Sequence, residues 1–193
     1  LMSVGEAPPG TKAEQAVASV VEEELGKLGL SVEKQEFACA SWVEESLYLG
    51  IDGKRVEAVA MPPTPSGAVE GELVHVGAGE SIKEDGLEGK IALAGMTSED
   101  PDYVAAQYTL LVKAGASAVV FYDFAPGVLR RIVVGIFTSY LDGPGLPPPV
   151  PAVAMRREDA LPLLKGRHYV ELEVKTRYRE DARSLNLVVF NGE

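Results

Sequence analysis

The stretch His75–Leu93, "HVGAGESIKEDGLEGKIAL", joins two apolar runs through four glycines and a charged middle. A phosphate-cradling loop can begin this way, and so can a simple strand–turn–strand connection. A P-loop needs G-x-x-x-x-G-K-[ST], because its backbone amides wrap the phosphates and its final hydroxyl holds magnesium. Here Lys90 is followed by Ile91, and Glu84 stands where the first glycine belongs. A dinucleotide fingerprint would need a third glycine three residues after Gly79, and that position is Ile82. The glycines therefore read as conformational. Gly77 and Gly79 let the chain leave one strand, and Gly86 and Gly89 let it turn into "KIAL".

Working outward, "VEGELVHV" before this stretch alternates as a strand does. Further upstream, "SLYLGI" and "KRVEAVA" flank Asp52-Gly53, a dipeptide suited to the two positive φ angles of a tight hairpin turn. At the start of the chain, Thr11 and Glu14 form a capping box. Val17, Val20, Val21, Leu25 and Leu28 then recur at helical spacing until Gly29. "LSVEKQEF", residues 30–37, alternates as a strand. Downstream, Asp100-Pro101 opens a helix that Gly115 closes, with Val104, Tyr108 and Leu111 on one face. "SAVVFYD" follows as a continuous apolar strand of the buried kind. Residues 124–149 form a long excursion, of the sort that in a compact domain is more often functional than idle. "VPAVAM", "YVELEVKTRY" and "SLNLVVF" complete the strands. The tally predicts an α+β chain with a mainly antiparallel, barrel- or sandwich-like core and two or three flanking helices.

With 193 residues, 46% of them hydrophobic, the chain can bury a substantial core. Its net charge of −11 argues against a polyanionic partner, since nucleic-acid affinity rests largely on cations neutralising phosphates. No run approaches the ~20 apolar residues of a membrane helix, and no signal peptide is visible, so neither nucleic acid nor membrane is expected as a partner. The compartment stays open, cytoplasmic or extracellular. Cys39 is the only cysteine, which excludes an internal disulfide. Asparagine occurs only at Asn186 and Asn191 beside 13 prolines and many glutamates, a balance met in thermophilic proteins.

Catalytic chemistry has little to work with. A zinc peptidase needs several His, Asp and Glu side chains converging on the metal. The chain has two histidines, His75 within "LVHVG" and His168 beside a strand start, neither with ligand spacing. No G-x-S-x-G elbow is present. No catalytic, cofactor-binding or metal-ligating residue is assigned.

Four segments in order carry a resemblance: "ELVHVGAGE", "DGLEGKIAL", "LVKAGASAVVFY" and "VPAVAMRREDALPLL". Together they resemble a protease-associated (PA) domain. The flanks, "GTKAEQAVASVVEEELGKLGLSVEKQEF" and "ARSLNLVVFNGE", look like the segments that bracket a PA insertion in M28-family zinc aminopeptidases. The resemblance divides the chain into an N-terminal helix–strand segment (1–39), a PA domain (40–180) and a C-terminal strand (181–193). It implies that the outer strands, 30–37 and 184–190, pair. It also places the family's zinc ligands beyond Glu193, so zinc is expected only in a catalytic domain outside this chain.

The resemblance implies a non-catalytic domain that governs substrate access to an M28-like aminopeptidase, with the peptidase catalytic domain as its partner. The alternative is an independent peptide- or protein-binding module that takes an extended segment by strand addition. An apolar face left exposed could also drive homodimerisation. The candidate contact surface is Arg130, Arg131, Phe137 and Tyr140 in the excursion, because arginine and aromatic side chains are enriched at contact sites.

Overall fold

The computed structural model describes residues 6–77, 86–135, 138–139, 143–144 and 149–190. Asp52 and Gly53 take φ angles of 51° and 75°, the pair that a two-residue type I′ turn demands. Strand β1 (Ser31–Ile51) therefore folds back as β2 (Lys54–Arg55), with Gly50 opposite Arg55 and Ile51 opposite Lys54. The other strands are β3 (Ala58–Ala60), β4 (Gly67–His75), β5 (Ile91–Gly95), β6 (Ala118–Tyr122), β7 (Thr138–Ser139), β8 (Gly143–Pro144), β9 (Ala152–Met155) and β10 (His168–Phe190). The helices are α1 (Lys12–Lys27), α2 (Pro101–Lys113) and α3 (Arg157–Ala160), the last followed directly by a 3₁₀ turn at Leu161–Leu164. Among the described residues, β7 and β8 pair with each other in a separate two-stranded sheet.

The remaining eight strands form one sheet in the order β2-β1-β10-β4-β5-β6-β9-β3. Its antiparallel pairs, β1–β2, β10–β4 and β3–β9, stand on either side of a parallel run, β4-β5-β6-β9. Its two edges, β2 and β3, are separated in sequence by only Val56 and Glu57. Three virtual bonds span at most about 11 Å, whereas eight flat strands would be about 34 Å across. The sheet must curl until its edges approach each other, which gives the expected α+β, barrel-like architecture. β1 and β10, the strands that contain residues 31–37 and 184–190, are hydrogen-bonded neighbours.

The chain divides into two compact units. A central unit is Glu44–Thr176, and a flanking unit combines Leu1–Val43 with Arg177–Glu193. In the central unit β5, β6 and β9 are short and buried on both faces, as parallel strands covered on two sides are. On one face, Ala92 and Ala94 of β5 and Ala152 and Ala154 of β9 flank Val119 and Phe121 of β6. These alanines leave room for α2, which buries Val104, Tyr108 and Leu111 in the same cluster. On the other face, Ile91, Leu93, Val120, Val153 and Met155 have no exposed surface. α2 begins as the sequence predicts: Asp100 accepts a hydrogen bond from the amide of Asp102, and Pro101 occupies the first turn.

In the flanking unit, Thr11 caps α1 by accepting from the Glu14 amide at 3.2 Å. Glu14 reaches back to the Gly10 amide at 2.7 Å and also accepts from the Ser184 hydroxyl. The helix ends in a Schellman motif, with Gly29 donating to Gly26 and Leu30 to Leu25. Ala18 is the only buried residue of α1, and residues 33–38 of β1 are all exposed.

Candidate interaction surface

The excursion begins at Asp123, at the end of β6, whose residue surface is 0% exposed. A carboxylate buried this completely needs partners, and the following segment supplies them. Asp123 accepts from the Ala125 amide at 2.8 Å and from Arg130 Nε at 2.9 Å. Arg130 also pairs with Glu99, and its guanidinium stands 5.4 Å from the centroid of the Phe124 ring, a cation–π distance. These carboxylates hold the Arg130 guanidinium above its ordinary pKa, the Asp123 hydrogen bond being the largest cause. Gly127 donates to Glu158 at 2.6 Å, and Arg157 donates to the Phe124 carbonyl at 3.0 Å.

Arg131 donates to Glu44 at 2.8 Å. The other hydrogen bond to that carboxylate oxygen comes from the Ala60 amide at 2.9 Å, on edge strand β3. Beyond it Ile132 and Val134 are buried in the core, and the Val134 amide donates to Pro62. The apolar run thus enters the core, and the two arginines tie it down with side chains only 27% and 25% exposed. Phe137 and Tyr140 lie outside the described residues. Among the described residues, the large apolar side chains that the segment exposes are Phe124, under the Arg130 guanidinium, and Val133, each at 42% exposure.

The two histidines are engaged separately. His75 Nε2 is 3.3 Å from the Tyr122 hydroxyl. His168 contacts Asp52 and the Lys165 carbonyl at 2.7 and 2.9 Å, and the Asp52 carboxylate raises its pKa above the ordinary histidine value. Among the described residues, no three of His, Cys, Asp and Glu stand together as a metal site. Sequence reasoning missed Asp123, Glu44 and Glu99 as the partners of the arginines. The only signal was an aspartate directly after an apolar strand, which reads as a strand end rather than a buried acceptor.

Residues 69–163 match the family model described as the PA domain. No curated protein matches the chain. Among solved structures, the chain is similar to BSAP, a zinc aminopeptidase from Bacillus subtilis, with 21% identity and a TM-score of 0.69 over 97% of this chain and 43% of that one. It is similar to the aminopeptidase from Aneurinibacillus sp. strain AM-1, with 22% identity and a TM-score of 0.60 over 97% and 45%. A peptidase M28 precursor from Shewanella amazonensis SB2B is 15% identical, with a TM-score of 0.68 over 96% and 47%. The likeness is one of fold, and the chain spans less than half the length of each of these proteins. Residues 69–163 of this chain are thus a PA domain, set in a fold that extends over nearly the whole chain and is shared with these peptidases.

Proposed function

We propose that this chain is the PA-bearing part of an M28-like zinc aminopeptidase, in which the PA domain performs no bond chemistry and governs access of peptides to a catalytic domain. The observation that carries this reading is the reach of the fold likeness. It extends over 97% of the chain, well outside residues 69–163, while covering only 43% of the Bacillus subtilis enzyme. The flanking unit supports it. Val20, Leu28, Phe37 and Phe190 there are 38%, 74%, 42% and 55% exposed, apolar surface that a catalytic domain would cover. Zinc belongs, on this reading, to that catalytic domain.

The test joins two measurements. The coding sequence following Glu193 is read for a continuation bearing His, Asp and Glu zinc ligands, and the purified chain is assayed for zinc and for hydrolysis of leucine p-nitroanilide. The reading expects the continuation, and neither metal nor turnover from the chain alone. A stop codon directly after Glu193, or robust turnover by the chain alone, overturns it.

A further inference from the structure

On β10, residues 177, 179, 181 and 183 share one face of the strand, because side chains alternate with a period of two. All four are exposed. Three are arginines, and with Lys12 they line a cavity of about 820 Å³ in the flanking unit, where the acidic lining residues are Glu6 and Asp181. The lining therefore holds four cations against two acids, in a chain whose 18 cations face 29 acids overall. The acids beside Arg179 and Arg183 hold these two loosely. Asp181 is 3.8 Å from Arg179 Nε and 92% exposed, and the Arg183–Glu36 pair, at 3.1 Å, is nearly two-thirds exposed on both sides. Exposed pairs of this kind exchange readily for others.

We propose that this arginine-lined cavity is a docking site for an extended acidic segment of a partner polypeptide. Alternate residues of a strand repeat every ~6.6–6.8 Å, and a second extended chain has the same repeat. Acidic side chains at alternate positions of such a segment meet Arg177 and Arg179, skip the position facing Asp181, and meet Arg183. Each guanidinium presents a planar fork matched to a carboxylate. The expected ligand pattern is acid-x-acid-x-neutral-x-acid, in either chain direction. A short peptide seated in the cavity feels the local cations within a screening length, whereas a long polyanion or an anionic membrane also meets the repulsion of the whole −11 chain.

The test uses the 193-residue chain and fluorescence anisotropy with two labelled peptides, Glu-Thr-Glu-Thr-Thr-Thr-Glu and its reverse, plus the same peptides with glutamine for glutamate. Saturable binding of one glutamate peptide, about ten-fold or more tighter than its glutamine version and weakened as salt rises from about 0.05 to about 0.5 M, is expected. Arg179→Glu combined with Arg183→Glu should abolish it, while Arg179→Lys should retain it within about three-fold, since charge is kept and only the fork is lost. Circular dichroism checks that these surface variants fold. Should the double variant fail to fold, Arg179→Gln alone serves, with a loss of about three-fold or more expected. Equal binding of the glutamine peptide overturns the proposal. So does unchanged binding by the charge-reversed variant, complete competition by millimolar inorganic phosphate, or binding of duplex DNA or phosphatidylserine vesicles in place of the peptides.

Discussion

Asp52 Oδ2 lies 2.7 Å from Nδ1 of His168, joining the hairpin turn after β1 to the first residue of β10. The other Asp52 oxygen accepts from the Tyr169 amide, and the Asp52 amide donates to the Tyr169 carbonyl, both at 2.9 Å. With Nε2 of His168 against the Lys165 carbonyl, the doubly protonated ring satisfies both contacts.

The pH dependence follows from the signs. His168 has a raised pKa, chiefly through its bond to Asp52, so its contribution is complete below the unfolded value of about 6.5 and is lost as pH rises through the folded value. Asp52 has a lowered pKa, again chiefly through His168, so its contribution is present above about 3.9 and lost as pH falls through its folded value. Urea midpoints of the native chain should fall as pH rises above about 6.5 and through the raised folded value, and His168→Gln should flatten that limb. Parallel profiles for the two proteins would show the pair to be without effect.

Gly53 tests the turn itself. A Cβ there would meet nothing within 4 Å, yet φ is 75°. Gly53→Ala should therefore cost about 1–2 kcal/mol from backbone strain alone, read as a shift in denaturant midpoint with unchanged slope. Asn at the same position, which tolerates positive φ, should recover most of the loss.

Removing the buried acceptor at the root of the excursion should loosen residues 124–131. Asp123→Asn replaces a charged acceptor of two bonds by a neutral amide of the same shape, a loss of about 1.5–3 kcal/mol. Hydrogen exchange should show the amides of Ala125 and Gly127 exchanging faster, while those of β6 remain protected.

Tyr108 is pushed up to about 12 by burial, and its hydroxyl donates to the Val150 carbonyl at 2.8 Å while accepting from the Val150 amide at 3.1 Å. Ultraviolet titration of native chain against Tyr108→Phe should assign one phenol to that high midpoint. Because the unfolded phenol ionises near 10, stability should fall as pH rises above 10. At neutral pH, Tyr108→Phe should cost about 1–3 kcal/mol through the unpaired groups of Val150.

The core predicts the largest single effect. Phe121 is fully buried in the middle of the parallel run, so Phe121→Ala should cost about 3–5 kcal/mol, measured by chemical denaturation. A cost below about 1 kcal/mol would mean that α2 does not pack on this face.

Local chemistry made much of the fold legible in the sequence. The Thr11 and Asp100 caps, the Gly29 and Gly115 stops and the Asp52-Gly53 turn act within a few residues, and each appears where its pattern puts it. Gly77 and Gly89, in the stretch between β4 and β5, take positive φ as strand exits and entries require, while Gly79 lies outside the described residues. The ordered segments that resemble a PA domain were legible for the same reason, since they are made of such local signals.

Long-range pairing decided what remained. "ACASWVEE" and "REDARS" have no strand periodicity, yet β1 and β10 run through them as single strands of 21 and 23 residues. They are strands because they lie beside each other in the sheet. The parallel direction of β4-β5-β6-β9 likewise depends on partners tens of residues apart, and no short window of sequence encodes it. The same holds for the arginines: sequence identified Arg130 and Arg131 as cations in an excursion, but only the tertiary structure paired them with Asp123, Glu99 and Glu44. By itself the sequence determined helix ends, turns and the alternating strand segments, because those are settled by neighbours along the chain. Tertiary structure alone decided which strands meet, how far the sheet curls and which charges are neutralised, because those depend on distances that the chain acquires only when it folds.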